Sequence, residues 1–262
     1  MNWPRVVASV AVLGGSIAWP ADTSLDEVRA YALAYAQELP DFVCVEQTRR
    51  YLASDAGQAW RLVDTLVAQL TFFNQKEEHK LLSQNGRAVK DASYESAGGL
   101  LSVGDFGTIL RQIFDPKTQT TFTWQRYATL RGRKVQVFSY RVPLPVYRIA
   151  YQGEAKAPLQ TTKVPYRGSV SVDSESHVIL QITCETLNIE PSFPVRLVNE
   201  TLEYDSVRIG DRKFVLPHAA TLDMRIHVYR GMNTIRNEKE FLSYRKYSAD
   251  TVIKFGGEEP SH

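Results

Sequence analysis

From Phe42 onward, apolar residues recur at every second position in run after run, and each run ends in a turn signal. A period of two puts successive side chains on opposite faces of a strand, so this pattern limits the chain to an antiparallel β architecture. The first strand is expected over 42–52. In the second, over 60–73, Leu66, Ala68, Leu70 and Phe72 share one face, and Asn74-Gln75 turns the chain back into 76–83. Asn85-Gly86 closes that strand with a pair suited to a tight hairpin. Strands over 119–128 and 133–142 are joined by Arg131-Gly132-Arg133 and carry Phe122 with Trp124 and Phe138 with Tyr140. A proline-bearing connection, 143–158, separates them from strands at 164–173, 177–187, 196–209, 212–217, 219–230, 234–247 and 250–255. The total is close to eleven. So many long strands curl, and the expected fold class is mainly β: a strongly curved antiparallel sheet or incomplete β-barrel.

Two segments break the alternation. Ser24-Leu25-Asp26-Glu27 matches a capping box, with the serine hydroxyl accepting from the third amide and Glu27 reaching back, and Pro40 ends the helix that follows. Residues 88–103 are polar and glycine-containing; a short apolar helix over 104–114 then places Phe106, Ile109, Leu110, Ile113 and Phe114 at helical spacing. That helix is expected to cover a sheet face or an open barrel end. No linker or charge block divides the succession, so residues 19–257 read as one domain followed by a frayed tail, 258–262.

The first eighteen residues read as a secretory signal, with Arg5 before the uncharged stretch 6–17 and small residues Ser16 and Ala18 before a cleavage point. An uncleaved N-terminal anchor is the alternative. A periplasmic or otherwise exported protein is expected, peripheral to the membrane rather than integral. Mature net charge is near +1, and basic pairs such as Arg49-Arg50 and Arg131 with Arg133 read as scattered between acids, which speaks against nucleic acid as a partner.

No constellation of catalytic residues emerges. His79, His177, His218 and His227 lie on separate strands and turns without metal-ligand spacing, although His218 and His227 could meet in a folded sheet. Asp105-Phe106-Gly107 and Ser102 lack the surrounding elements that kinase or hydrolase chemistry needs. Cys44 and Cys184 fit a disulfide in an exported chain, but the apolar alternation around Cys184 favours a buried thiol. No metal, cofactor or catalytic residue is assigned. Asn199-Glu200-Thr201 spells a glycosylation sequon inside a strand.

The run Gly168-Ser169-Val170-Ser171-Val172-Asp173, followed by a polar turn and Ile179-Leu180-Gln181-Ile182, resembles a recurring segment of the bacterial periplasmic lipoprotein carriers and sensors of the LolA, LolB and RseB type. So does Tyr204 to Gly210 followed by Phe214-Val215-Leu216-Pro217. The chain lacks the lipobox cysteine of the anchored LolB type. The resemblance implies a half-barrel with an apolar concave face and a lid helix. On that reading Leu66, Leu70, Phe72, Phe122, Trp124, Phe138 and Tyr140 line the face, and Phe106, Ile109 and Ile113 belong to the lid. The implied function is non-enzymatic enclosure of an acyl chain or lipidated protein. The competing reading is an envelope protein–protein interaction module with a filled core.

Overall fold

A computed structural model describes residues 25–54, 59–90, 99–100, 106–153, 158–228 and 231–248. The described residues begin with helix α1, Leu25–Glu38, and four strands: β1 Phe42–Ser54, β2 Arg61–Phe73, β3 Lys76–Gln84 and β4 Arg87–Ala88. A two-residue strand β5, Gly99–Leu100, precedes helix α2, Thr108–Phe114. The remaining strands are β6 Thr121–Leu130, β7 Arg133–Gln152, β8 Gln160–Asp173, β9 Ile179–Thr186, β10 Val195–Ile209, β11 Arg212–Val228 and β12 Gly231–Lys246.

All twelve strands among the described residues join one antiparallel sheet in the order β4-β3-β2-β1-β12-β11-β10-β9-β8-β7-β5, with β6 also pairing β7. It is not closed into a barrel. Two meanders, β1–β4 and β6–β12, are welded where the first strand pairs with the last, Phe42 opposite Lys246 through Ser54 opposite Asn233. The edges are β3 with its short partner β4 on one side and β6 with the two-residue β5, both paired to β7, on the other.

The alternation located the sheet, and the prolines misled. The expected connection 143–158 is largely strand: β7 continues through Pro143 and Pro145 because they occupy a bulge, where Val142 and Tyr147 pair with Tyr166 and Val164. Proline has no amide to give the ladder, and a bulge releases it from that demand. Pro217 likewise sits at a register shift opposite Glu203 and Tyr204, so the expected strands 212–217 and 219–230 are one, β11. The polar segment 88–103 contributes parts of β4 and β5. The expected strand 250–255 and the signal segment 1–18 lie outside the described residues.

The sheet's concave face divides into two territories. Under α1 and α2 it is apolar, built from Phe42, Phe72, Phe138, Tyr140, Tyr166, Ile182, Leu202 and Leu222 among others. Toward the far ends of β12, β1, β2 and β3 it is polar, with Glu46, Thr48, Arg50, Asp64, Asn237 and Lys239 all buried.

Candidate apolar binding site beneath helix α2

Helix α2 is only seven residues long, too short to be stable alone, and it exists because its inner side is packed. Gly107 caps its start at φ 77°, a left-handed conformation that suits glycine. Ile109, Leu110, Ile113 and Phe114 are all buried. Just before the helix, Phe106 enters an aromatic cage, with ring centroids 5.2 Å from Phe42, 5.1 Å from Phe241 and 6.4 Å from Phe72. Phe114 stacks on Phe122 at 5.3 Å. α1 packs beside α2, and its Tyr35 hydroxyl donates to the carbonyl of Val215 on β11.

A few polar groups sit in this apolar setting. Gln112 of α2 donates to the Val146 carbonyl at 3.2 Å and accepts from Tyr166 Oη at 3.4 Å. Tyr147 donates to the buried Glu200 carboxylate at 2.8 Å. Tyr140 lies across Gly168, donates to the Thr183 carbonyl at 2.8 Å and meets Cys184 Sγ at 3.1 Å. Burial raises the pKa values of Tyr140 and Tyr166, with Cys184 contributing to both, so both phenols stay neutral. Burial and the charge of Glu200 also push the Cys184 thiol up, which leaves it protonated and unreactive. Cys44 and Cys184 are buried on separate strands and form no disulfide.

Of the ten residues expected to line the site, Leu70, Phe72, Phe106, Ile109, Ile113, Phe138 and Tyr140 converge in the main core, and Phe122 packs against it. Leu66 belongs instead to a small cluster with Ala68 and Leu81. Trp124 is 50% exposed although it lies opposite the buried Phe138, on a strand, β6, that among the described residues pairs only with β7. Sequence reasoning missed Tyr147, Tyr166, Gln112 and Glu200. Glu200 left a signal, since it occupies the inward register between Val198 and Leu202. One cleft among the described residues, between Tyr31, Tyr35, Leu110, Ile179, Tyr204 and Val215, holds about 10 Å³.

The polar territory carries an ion network. Glu46 on β1 reaches over the small Ala68 of β2 to His79 on β3, with Oε2 3.2 Å from Nε2, and its other oxygen lies 3.6 Å from Lys239 of β12. Thr48 donates to the same carboxylate at 2.9 Å. Burial opposes a charged imidazole at His79, but the hydrogen bond and charge of Glu46 outweigh it; Lys239 opposes and Glu77 assists, so the pKa is raised. Arg50 grips Asp64 at 2.6 and 2.5 Å. Here burial would raise the carboxyl's pKa, and the hydrogen bonds from Arg50 and Gln84 bring it below its ordinary value. His218 and His227 do not meet: they stand nine residues apart on β11, about 30 Å along a strand. His218 contacts Arg131 and lies 3.7 Å from Glu203. Among the described residues no group of His, Cys, Asp and Glu is arranged to hold a metal ion. No helix there is long and apolar enough to cross a membrane.

No family model and no curated protein matches the chain. Among solved structures, it is similar to a putative outer membrane lipoprotein-sorting protein domain from Vibrio parahaemolyticus, at 13% identity and TM-score 0.35, covering 85% of this chain and 92% of that one. A LolA superfamily protein from Nitrosomonas europaea gives 10% identity and TM-score 0.31, over 86% of this chain and 94% of that one. MucB in complex with MucA(peri) gives 10% and 0.21, over 84% and 98%. The resemblance is one of architecture.

Proposed function

We propose that the protein is a non-enzymatic binding protein of the bacterial envelope that holds an apolar group, an acyl chain or the lipid of a lipidated protein, in the space α2 now fills. The observation that carries this reading is the makeup of α2. A short helix contributes four buried apolar side chains to a concave aromatic face, while Gln112 bonds the Val146 carbonyl and Tyr166 and Arg111 donates to Gln75 in the β2–β3 turn. A ligand that replaced the plug would exchange one apolar surface for another, at about 0.8 kcal/mol for each methylene buried. The phenols of Tyr147 and Tyr166 would then supply the few oriented polar groups that small-molecule sites use.

Titration with a palmitoylated peptide, followed by native mass spectrometry and amide exchange, tests this. The expected result is a one-to-one complex in which the α2 amides lose protection. Gly107→Ala strains the closed helix by about 1–2 kcal/mol, raising the open population roughly five- to thirtyfold and speeding uptake. Absence of any complex with the palmitoylated peptide or free palmitate, with α2 as protected as β11, would overturn the reading. That outcome would favour an interaction module with a filled core.

A further inference from the structure

The sheet's outer face carries a second feature, on the side opposite α2. Because Tyr140, Cys184 and Glu200 point inward, their neighbours along each strand point out, and cross-strand pairing arranges those neighbours in two rows. One row is hydroxylic: Thr123, Ser139, Ser169, Thr183 and Thr201, each opposite the next from β6 to β10. The other, one step along the strands, reads Thr121, Arg141, Arg167, Glu185 and Asn199. All of them but Ser169 line a trough of about 500 Å³, bordered as well by Tyr140, Gly168, Cys184 and Glu200. Five strands at about 4.8 Å spacing make it roughly 19 Å long, running across the strands.

Its charge is uneven. Arg141 stands directly opposite Arg167, a like-charge pair that destabilises a sheet unless something compensates it. Glu185 takes Arg167 through two nitrogens at 2.9 and 2.5 Å. Arg141 has no carboxylate partner among the described residues and is exposed. The surrounding sequence supplies no acid either: residues 116–153 contain seven bases and no Asp or Glu, contrary to the even mixing read from isolated basic pairs. The trough therefore presents one uncompensated guanidinium beside a file of neutral hydroxyls and an amide.

We propose that this trough binds a hydroxylated small molecule carrying a single negative charge, such as a sugar acid or the phosphodiester headgroup of a glycerolipid. Arg141 pairs with the anion in the geometry that guanidinium offers carboxylate and phosphate. Thr121, Thr123, Thr201 and Asn199 exchange hydrogen bonds with the ligand's hydroxyls, each able to donate and accept. An added peptide strand does not suit the site, because the trough crosses the strands instead of following an edge. The site is independent of the apolar interior, and either can fail without the other.

Calorimetric titration at about 0.15 M salt, where diffuse surface attraction is screened, with glucuronate, glycerophosphoglycerol and neutral glucose decides the matter. The expectation is that at least one anion binds and glucose does not. Arg141→Gln should weaken binding at least tenfold and Thr201→Val several-fold. Arg148→Gln, a basic residue of the same face outside the trough lining, should change it less than twofold. The unfolding midpoint of each variant establishes that the fold is intact. Flotation with phosphatidylglycerol vesicles against phosphatidylcholine vesicles identifies the source: retention that depends on Arg141 assigns a lipid headgroup, and binding of the free sugar acid alone assigns a soluble ligand. The proposal is overturned if neither anion binds, if glucose binds as well as glucuronate, or if Arg148→Gln is as damaging as Arg141→Gln.

Discussion

Gly168 shows how much one absent side chain can decide. A Cβ there would lie 1.7 Å from the Thr183 carbonyl oxygen and 2.8 Å from Tyr140 Oη, so the tyrosine can cross the strand only because glycine leaves the space. Gly168→Ala must displace the β9 backbone or expel Tyr140 from its bonds to Thr183 and Cys184. A loss of about 3 kcal/mol or more is expected in urea unfolding, in the range of severe overpacking. Gly86→Ala provides the contrast. Nothing lies within 4 Å of its Cβ, and only the left-handed φ of 75° opposes it, so about 1–2 kcal/mol is expected. A Gly168 variant no worse than the Gly86 one would show that the close approach is not a constraint. The sequence displayed Gly168 inside a strand and inside the family-like motif, yet the reason for it comes from Tyr140 of β7 and Thr183 of β9, neither of which the motif contains.

At the scale of the element, the question is why the inner face of β1 and β2 turns from Phe42, Cys44, Leu70 and Phe72 to Glu46, Thr48, Arg50 and Asp64. Alternation made the strands legible, and charged residues at 46–50 were visible; what could not be read was that they share a buried face with β12 and β3. That required the pairing of first strand with last, which no local pattern encodes. The Arg50–Asp64 pair joins adjacent strands while both side chains are more than nine-tenths buried. Removing one partner strands the other's charge, so Asp64→Ala should cost about 3–5 kcal/mol. The double variant Arg50→Met with Asp64→Leu, which removes both charges of the pair, should unfold near the wild-type midpoint or above it. If the double variant lost as much as the single one, the pair itself would be stabilising the weld between the strands. In the same way α2 was legible by its helical spacing, but its packing rests on Phe122, Val146 and Tyr166, drawn from three separate strands.

For the whole molecule, the two territories of the concave face give stability a definite dependence on pH. His79 has a raised pKa in the folded state, so it contributes fully below its unfolded value of about 6.5, and that contribution disappears as pH rises through the folded value. Asp64 and Asp173 have lowered values. Burial at Asp173 is outweighed by hydrogen bonds from Ser176 and Glu175 and by the charge of Arg133. These two carboxylates contribute above their unfolded value of about 3.9 and cease to do so as pH falls through their folded values. The free energy of urea unfolding should therefore form a plateau from about pH 5 to 6.5 and decline on both sides. The alkaline limb belongs to an ionic bridge over Ala68 that ties β3, an edge strand, to β1 and β12 in the middle of the sheet. His79→Gln should therefore lower the plateau and flatten the alkaline limb while sparing the acid one, and Asp64→Asn should do the reverse. An alkaline limb as steep in His79→Gln as in wild type would place its origin elsewhere, outside the network of Glu46, His79 and Lys239.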